Sequence, residues 1–261
     1  MSASPEGTLA FRIQSYDEVD STNERVKDAL RAGEAEGLVV CARRQSGGYG
    51  RQGRSWSSPE GGLYRSLLLR PDVPLAQLPT LSLVVGLAVR AAIAGFVARE
   101  QAPVIKVKWP NDVVFAGSGE RIHKLCGISL ERVANGVCIG VGINAFPAGG
   151  EALEGKNERC CLTDLGMSSA SSLEDVRNAA LAEFASRYAT WLTHGFAPFR
   201  DDYAAHALLT GKEVTIEDLD GTVTAEGRVE GVDPQGHLLV RSSDGTIQTV
   251  SSGEAHISSI S

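Results

Sequence analysis

The sequence predicts an α+β protein built from a larger mixed domain and a small all-β domain. Up to about Leu209, short apolar strand-like runs alternate with helical patterns. Beyond that point the chain changes to short alternating strands separated by glycine at regular intervals, with no helical stretch, which is typical of a small barrel. We therefore predict two domains, residues 1–208 and residues 209–261. A hydrophobic content of 43% is enough for a substantial core.

The first part of the chain predicts strand, helix, two strands and a second helix. Ser21–Glu24 is a capping-box pattern that predicts the start of the first helix, and Gly33 predicts its end. Leu78–Arg99 predicts a long helix whose alanines allow close packing, so we expect it to lie in the core. The predicted strands are Phe11–Tyr16, Leu38–Ala42 and Leu63–Leu69.

The second part of the larger domain predicts a run of strands and one further helix. Val104–Trp109 alternates as a strand, after which Pro110 forces a turn. Asn135-Gly136 is a type I′ hairpin signal. Leu173–Leu192 has the apolar spacing of an amphipathic helix. The other predicted strands are Val113–Phe115, Ile122–Val133 and Val137–Ile143, the first two joined by a hairpin around residues 116–119.

Charge and cysteine usage argue against several functional classes. The net charge of −7 argues against broad nucleic-acid binding, which usually shows as a basic face or a high pI. The five cysteines form no ligand-like spacing, and the apolar runs around Cys41 and Cys126 predict buried free thiols. The odd count and the lack of a signal peptide predict a reducing cytoplasm. No run of about 18 apolar residues predicts a membrane span. The five histidines are scattered, so no metal site built by protein ligands is predicted.

The most distinctive stretch is the loop Gln45–Trp56, which reads QSGGYGRQGRSW. Its glycines allow a backbone whose N–H groups approach an anion, and arginine is a residue type that can bind phosphate through two parallel hydrogen bonds. Arg43 and Arg44 precede it, and no acidic residue interrupts the stretch from Arg43 to Pro59. By composition alone, a surface hairpin with solvated arginines is an equally good interpretation.

Four further stretches decide between these interpretations, because together with the loop they resemble the biotin protein ligase family. Five motifs in the right order make the resemblance specific. Where that family usually carries a further arginine in its GRGR motif, this chain has Tyr49, so one guanidinium contact with an acyl-adenylate is expected to be missing. The five stretches are Asp20–Asn23 (DSTN), the loop (GRGRxGRxW), Lys108–Asp112 (KWPND), Lys124–Glu131 (KxxGIL-type) and Gly140–Asn144 (GxGIN).

The resemblance implies a fold and a two-step reaction. The fold is a class II synthetase-like mixed β-sheet domain packed with helices, followed by an SH3-like barrel. The reaction activates biotin with ATP as biotinyl-5'-AMP and then transfers biotin to a lysine of a biotin carboxyl carrier protein or domain. Only about 15 residues precede the core, too few for a helix-turn-helix module. We therefore expect a monofunctional cytoplasmic enzyme, monomer or homodimer, that binds neither DNA nor a membrane.

By this resemblance, three residues carry the chemistry. Lys124 is the charge that bridges the biotin carboxyl and the α-phosphate. Arg51 stabilises the reacting phosphate as the loop closes, and Asp112 orients the incoming amine or takes its proton. Plainer interpretations exist for each. Spacing alone does not rank Lys124 above Lys106 or Lys108, and Asp112 is also suited to a turn.

The candidate binding residues, which include those three, divide between the two substrates. For biotin they are Ser21, Thr22, Asn23, Gln45, Gly48, Tyr49, Gly50, Arg51 and Lys124. For ATP and the adenylate they are Arg51, Arg54, Trp56, Lys108, Trp109, Asn111, Asp112, Gly127, Gly142 and Asn144. Ser21 and Thr22 also fit a helix cap alone, and Trp109 also fits the core. Mg²⁺ is expected to accompany ATP, with no metal ligands assigned in the protein.

Two alternative functions remain open from the sequence. Arg43–Gly48 resembles the RRxSGG opening of lipoate ligases, which predicts lipoate or octanoate ligation on a related fold. The continuation Tyr49–Arg54 and the complete KWPND motif favour biotin instead. A non-catalytic module that binds an adenylate or a carrier is the second alternative, and Tyr49 is the feature that favours it.

Overall fold

The structure is a computed structural model that describes residues 9–117, 121–147, 160–218 and 220–258. The larger unit contains strands β1 (Arg12–Val19), β2 (Leu38–Gln45), β3 (Gly62–Leu69), β4 (Ile105–Lys108), β5 (Asp112–Phe115), β6 (His123–Val133) and β7 (Gly136–Asn144). Its helices are α1 (Thr22–Arg31), α2 (Leu78–Ala94), α3 (Leu173–His194) and α4 (Arg200–His206). The C-terminal unit contains β8 (Glu213–Glu217), β9 (Val223–Val232), β10 (Leu238–Arg241), β11 (Ile247–Val250) and β12 (Glu254–Ile257).

The strands form two sheets that follow one another along the chain. The first has seven strands in the order β1-β2-β3-β7-β6-β5-β4, with β1 and β2 parallel and the other pairs antiparallel. The second has five antiparallel strands in the order β11-β10-β9-β8-β12. The predicted α+β class, a mixed sheet with helices followed by an all-β unit, is confirmed.

The helices cover the two faces of the large sheet unequally. On one face α2 and α3 pack into the main core, where Leu81, Val84 and Trp191 are fully buried. The stretch Leu75–Ala94 is long and apolar enough to cross a membrane by composition, but 67% of its most apolar window is buried in the fold. On the other face the short helix α1 covers only part of the sheet. The uncovered part of that face is available for a ligand site.

Two helix ends differ from the predictions. Ser21 occupies the N-cap position of α1, but its side chain makes no capping hydrogen bond, so the predicted capping box is wrong. The carboxylate of Glu24 instead pairs with Lys27, one turn along the helix. The second predicted helix ends at Ala94 rather than Arg99, because the chain turns at Gly95, whose N–H donates to Ala92.

The hairpin between β6 and β7 forms, but not with the predicted turn. Val133 pairs with Gly136, which leaves Ala134 and Asn135 as the two turn residues. Ala134 has a φ of 51°, so the left-handed residue precedes the Asn-Gly pair and the predicted type I′ turn on that pair is wrong. The predicted hairpin around residues 116–119 falls partly outside the described residues. Cys41 and Cys126 are buried thiols, as predicted, and the other three cysteines are buried too, with no disulfide among the five.

Candidate active site

A narrow cleft lies between the loop Gln45–Trp56, helix α1 and the central strands of the large sheet. Its open volume is about 50 Å³, well below the roughly 300 Å³ of a small-molecule pocket, so a ligand of that size requires the lining to rearrange. The cleft is lined by Thr22, Asn23, Gln45, Tyr49, Gly50, Arg51, Trp56, Tyr64, Arg65, Asn111, Lys124, Gly127, Ile128, Ser129, Gly140, Val141 and Gly142.

Three glycines on the sheet allow side chains to lie directly against the strands. A Cβ atom at Gly140 would lie 2.3 Å from Asn23 Oδ1. A Cβ at Gly142 would lie 2.8 Å from Trp56 Nε1, and one at Gly127 would lie 2.9 Å from the same indole. Because real Cβ atoms do not approach this closely, any larger residue would push Asn23 or Trp56 out of place. The glycines therefore set the depth of the cleft.

One end of the cleft is neutral and densely hydrogen-bonded. The backbone N–H and the hydroxyl of Thr22 donate to Gln45 Oε1 at 2.8 and 3.0 Å. Ser66 Oγ lies 2.6 Å from Asn23 Oδ1, and Asn23 Nδ2 donates to Ser129 Oγ at 3.1 Å. Buried polar groups held this way keep fixed directions, because each rotation would leave a partner unpaired. This end is suited to a polar, uncharged ligand group.

The other end carries an ion pair. Lys124 Nζ lies 2.8 Å from Asp112 Oδ1, with 26% and 16% of the two side chains exposed. The same ammonium lies 5.1 Å from the centroid of the Trp56 ring, within cation–π range. In this partly desolvated setting a charge interacts more strongly with a ligand than it would in bulk water. The pair thus places one cation and one potential base side by side.

A β-bulge brings Lys124 onto the cleft face. Val113 pairs with Cys126 and Val114 pairs with Lys124, so Leu125 has no partner on β5. Leu125 and Cys126 both join the core on the opposite face. The bulge shifts the alternation by one residue, as bulges near active sites often do. As a result Lys124 and Ser129, which differ by an odd number of positions, line the same cleft.

Two asparagines fix the backbone around the ion pair. Asn144 Nδ2 donates to the carbonyl of Lys124 at 2.9 Å, and Asn111 Nδ2 donates to the carbonyl of Ile128 at 2.7 Å. Lys108 lies near Asp112. Burial lowers the pKa of Lys108, and the negative charge of Asp112 acts in the opposite direction. The Lys124 strand is therefore held in place by neighbours that were themselves predicted site residues.

The loop arginines contact the C-terminal unit. Arg51 Nη1 donates to the carbonyl of Gly253 at 3.2 Å, and Arg54 Nη1 lies 2.5 Å from Glu254 Oε2. Burial lowers the pKa of Arg51, with the neighbouring Arg54 acting in the same direction. Burial acts to raise the pKa of Glu254, but its net pKa is lowered, because the hydrogen bond and the charge of Arg54 act in the opposite direction. An anion from the small sheet thus pairs with one of the two arginines predicted to bind phosphate.

The structure brings most of the predicted site residues to the cleft and places others apart from it. Trp109 is buried and its Nε1 donates to the carbonyl of Gly236, at the contact with the C-terminal unit. Ser21 is buried at the start of α1, and Gly48 packs under Ser58 and Trp56. The predicted residues that line the cleft are Thr22, Asn23, Gln45, Tyr49, Gly50, Arg51, Trp56, Asn111, Lys124, Gly127 and Gly142. Those at its border are Arg54, Lys108, Asp112 and Asn144.

Sequence reasoning missed several lining residues. Ser129 shares the cleft with Lys124 only because of the bulge, which strict alternation does not reveal. The other unassigned lining residues are Tyr64, Arg65, Ile128 and Val141. Within the described residues, no group of three or more His, Cys, Asp or Glu side chains is arranged to hold a metal ion.

Comparisons with known proteins agree with the motifs. The profile of the biotin/lipoate A/B protein ligase family matches residues 16–144, and that of the biotin protein ligase C terminal domain matches residues 209–257. A biotin--[acetyl-CoA-carboxylase] ligase from Paracoccus denitrificans is 33% identical over 230 residues, covering 85% of this chain and 91% of that protein. The bifunctional ligase/repressor BirA from Bacillus spizizenii is 32% identical over 239 residues, covering 88% of this chain and 69% of that protein.

Solved structures extend the agreement to the fold. The biotin protein ligase from Aquifex aeolicus in complex with biotin and ATP superposes with a TM-score of 0.78 at 28% identity, covering 94% of this chain and 98% of that one. The relatives and the two profiles together account for both units of the molecule. The resemblance seen in the five motifs is confirmed, and the chain belongs to the biotin protein ligase family.

Proposed function

We propose that this protein is an ATP-dependent biotin ligase that makes biotinyl-5'-AMP and transfers biotin to a lysine of a carrier domain. The main observation behind the proposal is the Lys124–Asp112 pair, which lies at the opposite end of the cleft from the neutral hydrogen-bonding network and under the loop of arginines and glycines. Two similar proteins support the proposal. The relative from Paracoccus denitrificans is a biotin--[acetyl-CoA-carboxylase] ligase, and the biotin protein ligase from Aquifex aeolicus binds biotin and ATP.

In the first step the biotin carboxylate attacks the α-phosphorus of ATP. A carboxylate oxygen–phosphorus bond forms, the bond to the β-phosphate oxygen breaks, and pyrophosphate leaves with the bonding electrons. Negative charge accumulates on the non-bridging oxygens of the α-phosphate, where a preorganised cation stabilises it. Lys124 supplies that cation, and Arg51 adds a second from the loop. The remaining work is positioning, which the buried network around Thr22 and Asn23 provides.

In the second step a carrier lysine attacks the acyl carbon of biotinyl-AMP. An amide bond forms, the bond between the acyl carbon and the phosphate oxygen breaks, AMP leaves, and the amine loses a proton. Asp112 lies beside Lys124 at the cleft and is the carboxylate placed to orient the amine or accept that proton. The loop excludes water from the anhydride between the two steps.

The partners follow from the two steps. The acceptor is a biotin carboxyl carrier protein or domain of a biotin-dependent carboxylase, and the acid and nucleotide are biotin and ATP. Mg²⁺ enters bound to the triphosphate, because phosphate oxygens are ligands that it prefers. The protein acts in the cytoplasm as a monomer or homodimer, without DNA or membrane binding.

The experiment is pyrophosphate exchange into ATP with biotin, lipoate and octanoate supplied separately. We expect exchange with biotin, and a carrier domain added afterwards should be biotinylated on one lysine by mass spectrometry. Exchange with lipoate or octanoate alone would make the protein a ligase for those acids. No exchange with any acid, from protein that still binds an acyl-adenylate, would make it a binding module.

A further inference from the structure

The hydroxyl of Tyr49 joins the loop to helix α1. Tyr49 Oη donates to Glu24 Oε1 at 2.8 Å, across 25 positions of sequence. Glu24 is free to accept this bond because it does not take part in a capping box at the start of the helix. The phenol ring itself lines the cleft. Tyr49 therefore faces the ligand with its ring and α1 with its hydroxyl.

Charge reinforces the contact from the helix side. Lys27 Nζ lies 2.6 Å from Glu24 Oε1 and 3.1 Å from Glu131 Oε2, and only 13% of the lysine side chain is exposed. The ammonium also lies 5.2 Å from the centroid of the Tyr49 ring. Hydrogen bonding to Lys27 lowers the pKa of Glu24, so the carboxylate that accepts from Tyr49 stays ionised. Hydrogen bonds to ionised groups are stronger than neutral ones.

The same cluster reaches the neutral end of the cleft. Asn23 Nδ2 lies 3.4 Å from Glu131 Oε1 while it donates to Ser129. The chain of contacts thus runs from the loop through Glu24, Lys27 and Glu131 to two residues that line the cleft. A movement of Tyr49 away from α1 would release the loop and disturb the hydrogen-bonding end together.

We propose that Tyr49, Glu24 and Lys27 form a latch that holds the glycine-rich loop against α1 and sets how long the acid and its adenylate stay bound. The latch rests on the proposed ligase function of the same cleft. Tyr49 stands where the GRGR motif that this loop resembles carries an arginine. The neutral phenol of Tyr49 lacks the guanidinium group of an arginine. Tyr49 therefore retains the ligand by anchoring the loop rather than by contacting phosphate. Tyr49, Glu24 and Lys27 are positioning residues in this scheme.

The test compares Tyr49→Phe, which removes only the hydroxyl, with Glu24→Ala and Glu24→Gln. Tyr16→Phe is the matched control, since its hydroxyl bonds to Gln14 on an exposed strand surface. Dissociation of biotin and of biotinyl-AMP is followed by stopped-flow fluorescence, for which Trp56 in the cleft is a built-in reporter. The turnover number and KM for biotin come from pyrophosphate exchange.

Tyr49→Phe should raise the dissociation rates and the KM for biotin roughly 10-fold, as expected for a lost hydrogen bond to a charged group. The turnover number at saturating biotin should change less than about twofold, because the hydroxyl does not act on the reacting atoms. Glu24→Ala should match it, the double variant should add little, and Glu24→Gln should recover part of the retention by accepting the bond. Tyr16→Phe should behave as the parent.

Unchanged dissociation rates in Tyr49→Phe would overturn the latch. So would a parallel loss of turnover, KM and thermal stability, which would indicate general unfolding of the loop. A parent protein without biotin-dependent exchange would instead contradict the proposed function itself, and the latch with it. Normal exchange in the parent with unchanged retention in the variant contradicts the latch alone.

Discussion

Replacement of Lys124 by alanine tests the chemical core of the site. The ammonium lies 2.8 Å from Asp112 and 5.1 Å from the Trp56 ring centroid, and no other described lysine lines the cleft. Its removal takes away the cation expected at the α-phosphate and leaves a carboxylate that would repel the triphosphate. Loss of one preorganised electrostatic donor typically lowers kcat about 10²- to 10³-fold, or about 2.7–4 kcal/mol.

The assay is pyrophosphate exchange with biotin and MgATP at saturating concentrations. Lys106→Ala is the matched control, because Lys106 lies on the adjacent part of the sheet and donates to the carbonyl of Ala205 on an exposed surface. We expect exchange by the control within about twofold of the parent. Thermal unfolding of both variants shows whether the fold is intact, since an exposed or half-exposed lysine contributes little to it.

The double variant Lys124→Ala/Asp112→Asn separates two causes of the loss. If repulsion between the unpaired Asp112 carboxylate and the triphosphate causes most of the loss, removing that charge should restore exchange. If loss of the Lys124 ammonium causes most of the loss, as we infer, exchange should stay low in the double variant. Near-normal exchange by Lys124→Ala alone would refute the assignment of Lys124 to the reacting phosphate.

Three other changes test separate parts of the site. Arg51→Ala should speed escape of biotinyl-AMP, seen by mass spectrometry as biotin on bystander lysines; an unchanged labelling pattern would contradict the role of the loop. Glu254→Gln should lower the KM for ATP roughly two- to fivefold, because it removes an anion that competes with ATP for Arg54, and this is the size of effect expected from an exposed ion pair. A higher KM would mean that Glu254 orients Arg54 for ATP binding. Gly140→Ala should weaken biotin binding at least about 10-fold, measured by calorimetry, because the added Cβ would displace Asn23. Equal affinity would show that the hydrogen-bond network around Asn23 can shift to accommodate the methyl group.

Much of this molecule was predictable from sequence because local pattern and motif acted together. Alternation of apolar residues located the strands of the seven-stranded sheet, and the motifs located eleven of the residues that line the cleft. Ser129 was missed because the bulge at Leu125 changes which residues of β6 face the cleft. Bulges depend on the partner strand, so a single-strand pattern does not reveal them.

Long-range contacts account for the rest. The bonds from Arg51 and Arg54 to the C-terminal unit cross about 200 positions of sequence and depend on how the two units meet. The Tyr49–Glu24 bond was hidden by a capping-box pattern that assigned Glu24 to the backbone. In the structure Glu24 contacts Tyr49 and Lys27 instead of capping the helix.

A crystal structure with a non-hydrolysable analogue of biotinyl-5'-AMP tests directly whether Lys124 and the loop hold the adenylate. We expect the ureido ring against Thr22 and Asn23 and the phosphate mimic within hydrogen-bond distance of Lys124 Nζ. We also expect Arg51 to be turned from Gly253 toward the ligand. An analogue bound elsewhere, or one bound in the cleft while Lys124 contacts only Asp112, would contradict that role of Lys124 and the loop.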